Sequence, residues 1–117
     1  AITSYERAVE INPDFPEAWY NRGIALTELG RYTDAVTSYD KAVEINPDFP
    51  EAWYNRGIAL TELGRYADAV TSYDKAVEIN PDFPEAWYNR GIALTELGRY
   101  ADAENSFEKG NELNRQK

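Results

Sequence analysis

Apolar and polar positions alternate along this chain with a helical period, interrupted at regular places by glycine and proline. Over Ala52 to Leu63, Trp53, Gly57 and Leu60 fall on one face of a helix. From about Ala67 to Ile79, Ala69, Tyr73, Ala76 and Asn80 share a face, with Val70 and Val77 beside it. The punctuation fits two helices. Asp48 can cap the first, with Glu51 three residues on and Pro50 tolerated in the first turn. Gly64 is a natural stop, and Pro81 disfavours a helical conformation at Asn80. The short Gly64-Arg65-Tyr66 connection makes the two helices antiparallel neighbours.

This two-helix unit recurs. Residues 16–49 return at 50–83 with one change, Thr33 becoming Ala67, and return again without change from Pro84 through Ala103 before diverging. Trp19, Trp53 and Trp87 mark the 34-residue period. Residues 1–15 match the second half of the unit, so the 117 residues form one array: a second helix of a partial repeat, then repeats at 16–49, 50–83 and 84–117. A hairpin of this size cannot bury its apolar face alone, and stacking on the next copy completes the core. The pattern therefore predicts an all-α solenoid of antiparallel helix-turn-helix repeats. Gly57 and Ala69 lack bulk where Trp53 and Tyr73 supply it, which allows close helix approach. On this reading the tryptophans are core residues, and Trp53→Ala should cost about 3–5 kcal/mol.

Those residues resemble the tetratricopeptide repeat, whose pattern is W-x2-L-G-x2-Y, then A-x3-F, then P. Trp19, Gly23, Ala35, Tyr39, Ala42 and Pro47 match it, as do Trp53, Gly57, Ala69, Tyr73, Ala76 and Pro81, and then Trp87, Gly91, Ala103 and Phe107. The resemblance spans the chain and implies a right-handed superhelix. Two departures recur: Arg22, Arg56 and Arg90 replace the family's Leu, and Leu26, Leu60 and Leu94 its Tyr. An arginine stem can lie on the core with its guanidinium kept wet. In the last helix, Val70 and Val77 become Glu104 and Asn111, and Ala76 becomes Gly110. Polar residues at apolar inter-repeat positions suit a capping helix.

Composition narrows the function. Lys plus Arg number 12 against 21 Asp plus Glu, a formal charge of −9, which argues against nucleic acid and anionic membrane partners. Cys and His are absent, removing thiol nucleophiles, zinc sites of the usual kind and the commonest general base. Each acid is copied into the next repeat, so equivalents stand in rows where catalysis needs them to converge. Asp34 and Asp40 read as a solvated face, and Glu28, Arg31 and Asp34 as a local ion pair. No enzyme activity, metal or cofactor is expected. With no signal peptide or transit segment the expected compartment is the cytoplasm; a first residue Ala1 and no Met suggest a processed chain or a fragment.

Family members usually hold a peptide in a concave groove lined by the first helix of each repeat. Carried over, the resemblance implies a site at Tyr20, Asn21, Ile24, Thr27 and Glu28, repeated at Tyr54, Asn55, Ile58, Thr61 and Glu62 and at Tyr88, Asn89, Ile92, Thr95 and Glu96. The asparagine amides would donate to and accept from a peptide backbone. Some members clamp a carboxylate-ended peptide with Lys and Arg. Here the first helices carry no Lys, and Glu17, Glu28, Glu51, Glu62, Glu85 and Glu96 favour a neutral or basic protein or peptide ligand. The other reading is structural. The helix from Ala1 to Asn12 has no first-half partner, so its Tyr5, Ala8 and Val9 face would be partly bare. Upstream repeats, another chain or a second copy could cover it, which makes the array a self-assembling scaffold.

Overall fold

The computed structural model describes residues 2–116, and the side chains of residues 3–116; Ala1 and Lys117, included in the expected first and last helices, lie outside the described residues. Seven helices follow one another among the described residues: α1 (Ile2–Ile11), α2 (Pro16–Glu28), α3 (Tyr32–Ile45), α4 (Pro50–Glu62), α5 (Tyr66–Ile79), α6 (Pro84–Glu96) and α7 (Tyr100–Arg115). Each of α2, α4 and α6 packs on the helix that follows it and on the one before. The outcome is an elongated α-solenoid of 45 × 28 × 21 Å. Helices α2, α4 and α6 also touch one another in succession, whereas α3, α5 and α7 do not. That asymmetry puts the first helices on the inner side of the curve.

The turns between paired helices follow from their glycines. Gly30, Gly64 and Gly98 have φ of +76°, +74° and +78°, the left-handed conformation that costs an L side chain about 1–2 kcal/mol. Around Gly64 the amide of Arg65 donates to Leu60 O (2.9 Å) and that of Gly64 to Thr61 O (2.9 Å), closing the carbonyl end of α4. The other end corrects an expectation. Asp48 does not cap α4: Phe49 holds the cap position in a non-helical conformation with no side-chain cap bond. Asn46 Oδ1 instead accepts from the amide of Asp48 (3.2 Å). A residue before proline is pushed to extended backbone, and here that conformation carries the Phe49 ring to Tyr20, 4.9 Å between centroids.

Close approach explains Gly23, Gly57 and Gly91. A Cβ at Gly57 would stand 2.6 Å from Cε1 of Tyr73, whose ring is buried against the α4 backbone. Leu60, Ala69, Val70 and Tyr73 form a continuous core with their equivalents in neighbouring copies. The tryptophans lie at its margin. Trp53 is half-buried between the clusters on either side of α4, and its Nε1 donates to Pro47 O (2.9 Å). It fastens the helix to the preceding turn as well as filling space.

Arginine at the family's Leu position is placed differently from expectation. The guanidinium is not left wet: Arg56 Nη1 donates to Ser72 Oγ (2.5 Å), and Nε to Asp40 Oδ1 (2.6 Å) of the preceding second helix. Its Cζ lies 5.7 Å from the Trp53 ring centroid. Arg22 bonds Ser38 and faces Glu6 at 3.7 Å, while Arg90 bonds Ser106 and Asp74. Ser38, Ser72 and Ser106 are fully buried. Asp40 is thus an inter-repeat pair rather than part of a free acidic face, while Asp34 pairs with Arg31 (2.7 Å) on the surface.

Candidate functional site: the inner face of the first helices

The inner face is built from three copies of one helix, Pro-Glu-Ala-Trp-Tyr-Asn-Arg-Gly-Ile-Ala-Leu-Thr-Glu. Ala52, Gly57, Ala59 and Leu60 face inward to the core and are buried. The remaining positions form rows along the array, because each copy repeats the same spacing.

The structure separates the expected site residues into two groups. Glu28, Glu62 and Glu96 are exposed, together with Asn21, Thr95 and Ile92, the last at 47%. Tyr20, Tyr54, Tyr88, Asn55, Asn89, Ile24, Ile58, Thr27 and Thr61 are half-buried, and most are committed to the fold. Ile24 and Ile58 pack on the core. Thr27 donates to Gly23 O (2.8 Å) and shares a hydrogen bond with the Tyr39 hydroxyl (3.1 Å); Thr61 does the same with Gly57 O and Tyr73. Thr95 donates to Gly91 O (2.9 Å), and Phe107 stands where the tyrosine would be.

The asparagines are engaged within the array. Asn55 Nδ2 donates to the Tyr20 hydroxyl (3.1 Å) and to Glu51 O (2.9 Å), which uses both amide hydrogens. Asn89 bonds Tyr54 (3.0 Å) and Glu85 O (2.9 Å) in the same way. These amides tie one repeat to the next, and their Oδ1 atoms are left as the remaining acceptors. Among the described residues Asn21 makes no such bond.

Burial raises the Tyr20 and Tyr54 hydroxyls above their ordinary range, with the charges of Glu51 and Glu85 adding to the rise and the asparagine bonds opposing it. Tyr39 and Tyr73, deeper still, are pushed up to about 12 by burial. All four stay neutral at physiological pH and act as apolar bodies with one polar tip. Tyr88 is held by α7: its hydroxyl donates to Asn111 Oδ1 (2.6 Å) and accepts from Asn114 Nδ2 (2.9 Å), with Gly110 under its ring.

At the other end, α1 places the expected self-association residues unequally. Tyr5 and Ala8 are half-buried and line an open apolar groove, but Val9 is buried at 8%. Two residues that sequence reasoning missed are the most exposed apolar groups there, Ile11 (77%) and Phe15 (49%). Their repeat equivalents Ile45 and Phe49 pointed to them. The Arg–Ser–Asp bridges were missed as well; their signal was a serine 16 residues after each arginine, at an inward second-helix position.

The chain's sequence matches a TPR-repeat family model over residues 1–30, 23–64 and 59–98, and a tetratricopeptide-repeat model over 84–117. The chain belongs to the tetratricopeptide repeat family. Its fold is similar to a crystal structure of MamA, with TM-score 0.95 and 25% identity over 98% of this chain and 67% of that one. A second MamA crystal structure gives TM-score 0.92 at 25% identity, over 98% and 63%. The first tetratricopeptide domain of Spaghetti, bound to an HSP90 peptide of sequence SRMEEVD, gives TM-score 0.83 at 25% identity, over 87% and 81%. An uncharacterized protein of Methanocaldococcus jannaschii is 43% identical over 35 residues, 30% of this chain. The chain spans 41% of that relative's length. No helix among the described residues is long and apolar enough to cross a membrane, and no group of three or more acids stands where it could hold a metal ion.

Proposed function

We propose that this array is a non-catalytic protein-interaction scaffold that receives a neutral or basic peptide segment along its inner face. The observation that carries the reading is where the charges point. Arg22, Arg56 and Arg90, the arginines of the first helices, are turned sideways into bonds with buried serines and neighbouring carboxylates. Glu28, Glu62 and Glu96 stay exposed, and those helices carry no Lys. A ligand on this face therefore meets negative potential, with Ile92 and the tyrosine edges as apolar contact and Asn Oδ1 atoms as acceptors for backbone amides.

The Spaghetti domain shows that this fold can hold a peptide, and the acidic sequence of that peptide defines the contrast. An inner face whose arginines are sequestered lacks free cations for an acidic tail. The test is selection from a displayed peptide library on the native chain and on a Glu28→Gln, Glu62→Gln, Glu96→Gln variant. The native chain should enrich neutral and basic sequences, and the variant should lose the basic ones. Enrichment of acidic C-terminal peptides by the native chain would overturn the charge assignment.

A further inference from the structure

The inner helices α2, α4 and α6 have one and the same 13-residue sequence, so whatever one copy offers a ligand the next copy offers again. On α4, Asn55, Ile58 and Glu62 stand at i, i+3 and i+7 and share one stripe. Their equivalents one period away share the same stripe on α2 and α6. Three rows therefore run from helix to helix: acceptors, apolar groups and carboxylates. Both polar rows have capacity left inside the array. Asn55 and Asn89 spend their amide hydrogens on a tyrosine and a backbone carbonyl, which leaves Oδ1. Glu28 and Glu62 are exposed and form no hydrogen bond or ion pair among the described residues.

Packing sets the step between copies. Helix α2 touches α4, and α4 touches α6. Asn55 reaches the Tyr20 hydroxyl across the seam at 3.1 Å. Helices in such contact stand about 8–10 Å apart. A ligand crossing them meets a new acceptor and a new carboxylate at that interval. A polyproline II chain has three residues per turn and rises about 3.1 Å per residue, so its side chains return to one face every ~9 Å. A β-strand returns every ~7 Å and falls out of step. An α-helix comes back into step after about seven residues, near 10.5 Å, but its amides are already bonded and cannot serve the asparagine row. Polyproline II makes no internal hydrogen bonds, so its N–H groups are free to donate.

We propose that the inner face receives an extended, polyproline-like segment of a partner protein with Lys or Arg at every third position. Its backbone lies along the isoleucine row and donates amides to Asn55 and Asn89. Successive cations meet Glu28, Glu62 and Glu96. This rests on the inner-face reading above and adds the conformation and the period of the ligand.

The probes are fluorescent peptides titrated into the full chain at physiological ionic strength and read by anisotropy. One is Lys-Ala-Pro repeated four times; a second has the same composition with its lysines gathered at one end; a third is an alanine-rich helix with lysine at every seventh position. The spaced extended peptide should bind at least fivefold more tightly than either of the others. Glu62→Gln, in the middle of the row, should weaken it about two- to fivefold. Equal binding of the spaced and gathered peptides would overturn the period while leaving the inner-face reading intact, and tighter binding of the helical one would overturn the extended conformation. Undiminished binding to Glu62→Gln would place the peptide elsewhere and overturn the proposal. Failure of all three peptides to bind would overturn the inner-face reading along with it.

Discussion

Arg56→Leu puts the family's own residue at the position where this chain departs from it, and the structure says that the change is costly. The guanidinium donates to Ser72 Oγ at 2.5 Å and to Asp40 Oδ1 at 2.6 Å, and sits 5.7 Å from the Trp53 centroid. A hydrogen bond from a charged donor contributes about 1.5–3 kcal/mol, and its loss leaves Ser72, at 0% exposure, without that partner. The Asp40 pair adds little, about 0.2–1 kcal/mol, because the carboxylate is half exposed. Stacking on Trp53 adds about 0.5–1 kcal/mol. Leucine recovers part of this as apolar contact, so the net loss expected is about 1–3 kcal/mol. Ser72→Ala alone should cost about 1–2 kcal/mol by stripping the guanidinium of an acceptor. With both changes the site becomes apolar on both sides and returns close to the native stability, giving a coupling of about 2–5 kcal/mol. The assay is urea unfolding followed by circular dichroism at 222 nm on the four proteins of the cycle. Losses that simply add would show that arginine and serine do not act as a unit.

Three further perturbations follow from the packing. Gly57→Ala should lose about 1–2 kcal/mol in the same assay. Its Cβ would meet three atoms of the Tyr73 ring at 2.6–2.9 Å, which outweighs about 1 kcal/mol of helix propensity gained; a more stable variant would contradict this. Trp53→Ala should cost about 2–3 kcal/mol, less than for a fully enclosed tryptophan, because the ring is half-buried; a loss above about 4 kcal/mol would show that it is core. Raising pH should unfold the array between about 10 and 12. Tyr39 and Tyr73 hold their protons to about 12 when folded, whereas an unfolded chain releases them near 10, so stability is intact below 10 and falls through that window. Tyr39→Phe and Tyr73→Phe should flatten the fall in a denaturation series against pH, and an unchanged slope would refute the assignment.

The period, the glycine stops and the proline-terminated helices were legible in the residues because each acts locally. Gly64 sets a left-handed turn whatever packs nearby, and Pro81 limits Asn80 in the same way. What escaped reading depends on side chains 16 to 35 positions apart. Asp48 had the right spacing to cap α4, yet Phe49 took the position because its ring is drawn to Tyr20. Arg56 was read as a snorkelling stem, since nothing local announces that Ser72 is buried opposite it. Asn55 and Asn89 were read as ligand groups, and nothing local announces that each also ties successive first helices through a tyrosine hydroxyl. Tyr5 and Ala8 line an open groove on α1, but Val9 lies one residue round the helix and is buried.

The inner face remains the central claim, and mapping a bound peptide tests it most directly. A neutral or basic peptide enriched on the native chain would be titrated into isotope-labelled protein while backbone amide resonances are followed. The account predicts that the largest shifts gather on α2, α4 and α6, around Glu28, Glu62, Ile92 and Glu96, with α3 and α5 silent. Shifts concentrated on the outer surface of α3 and α5 would contradict it.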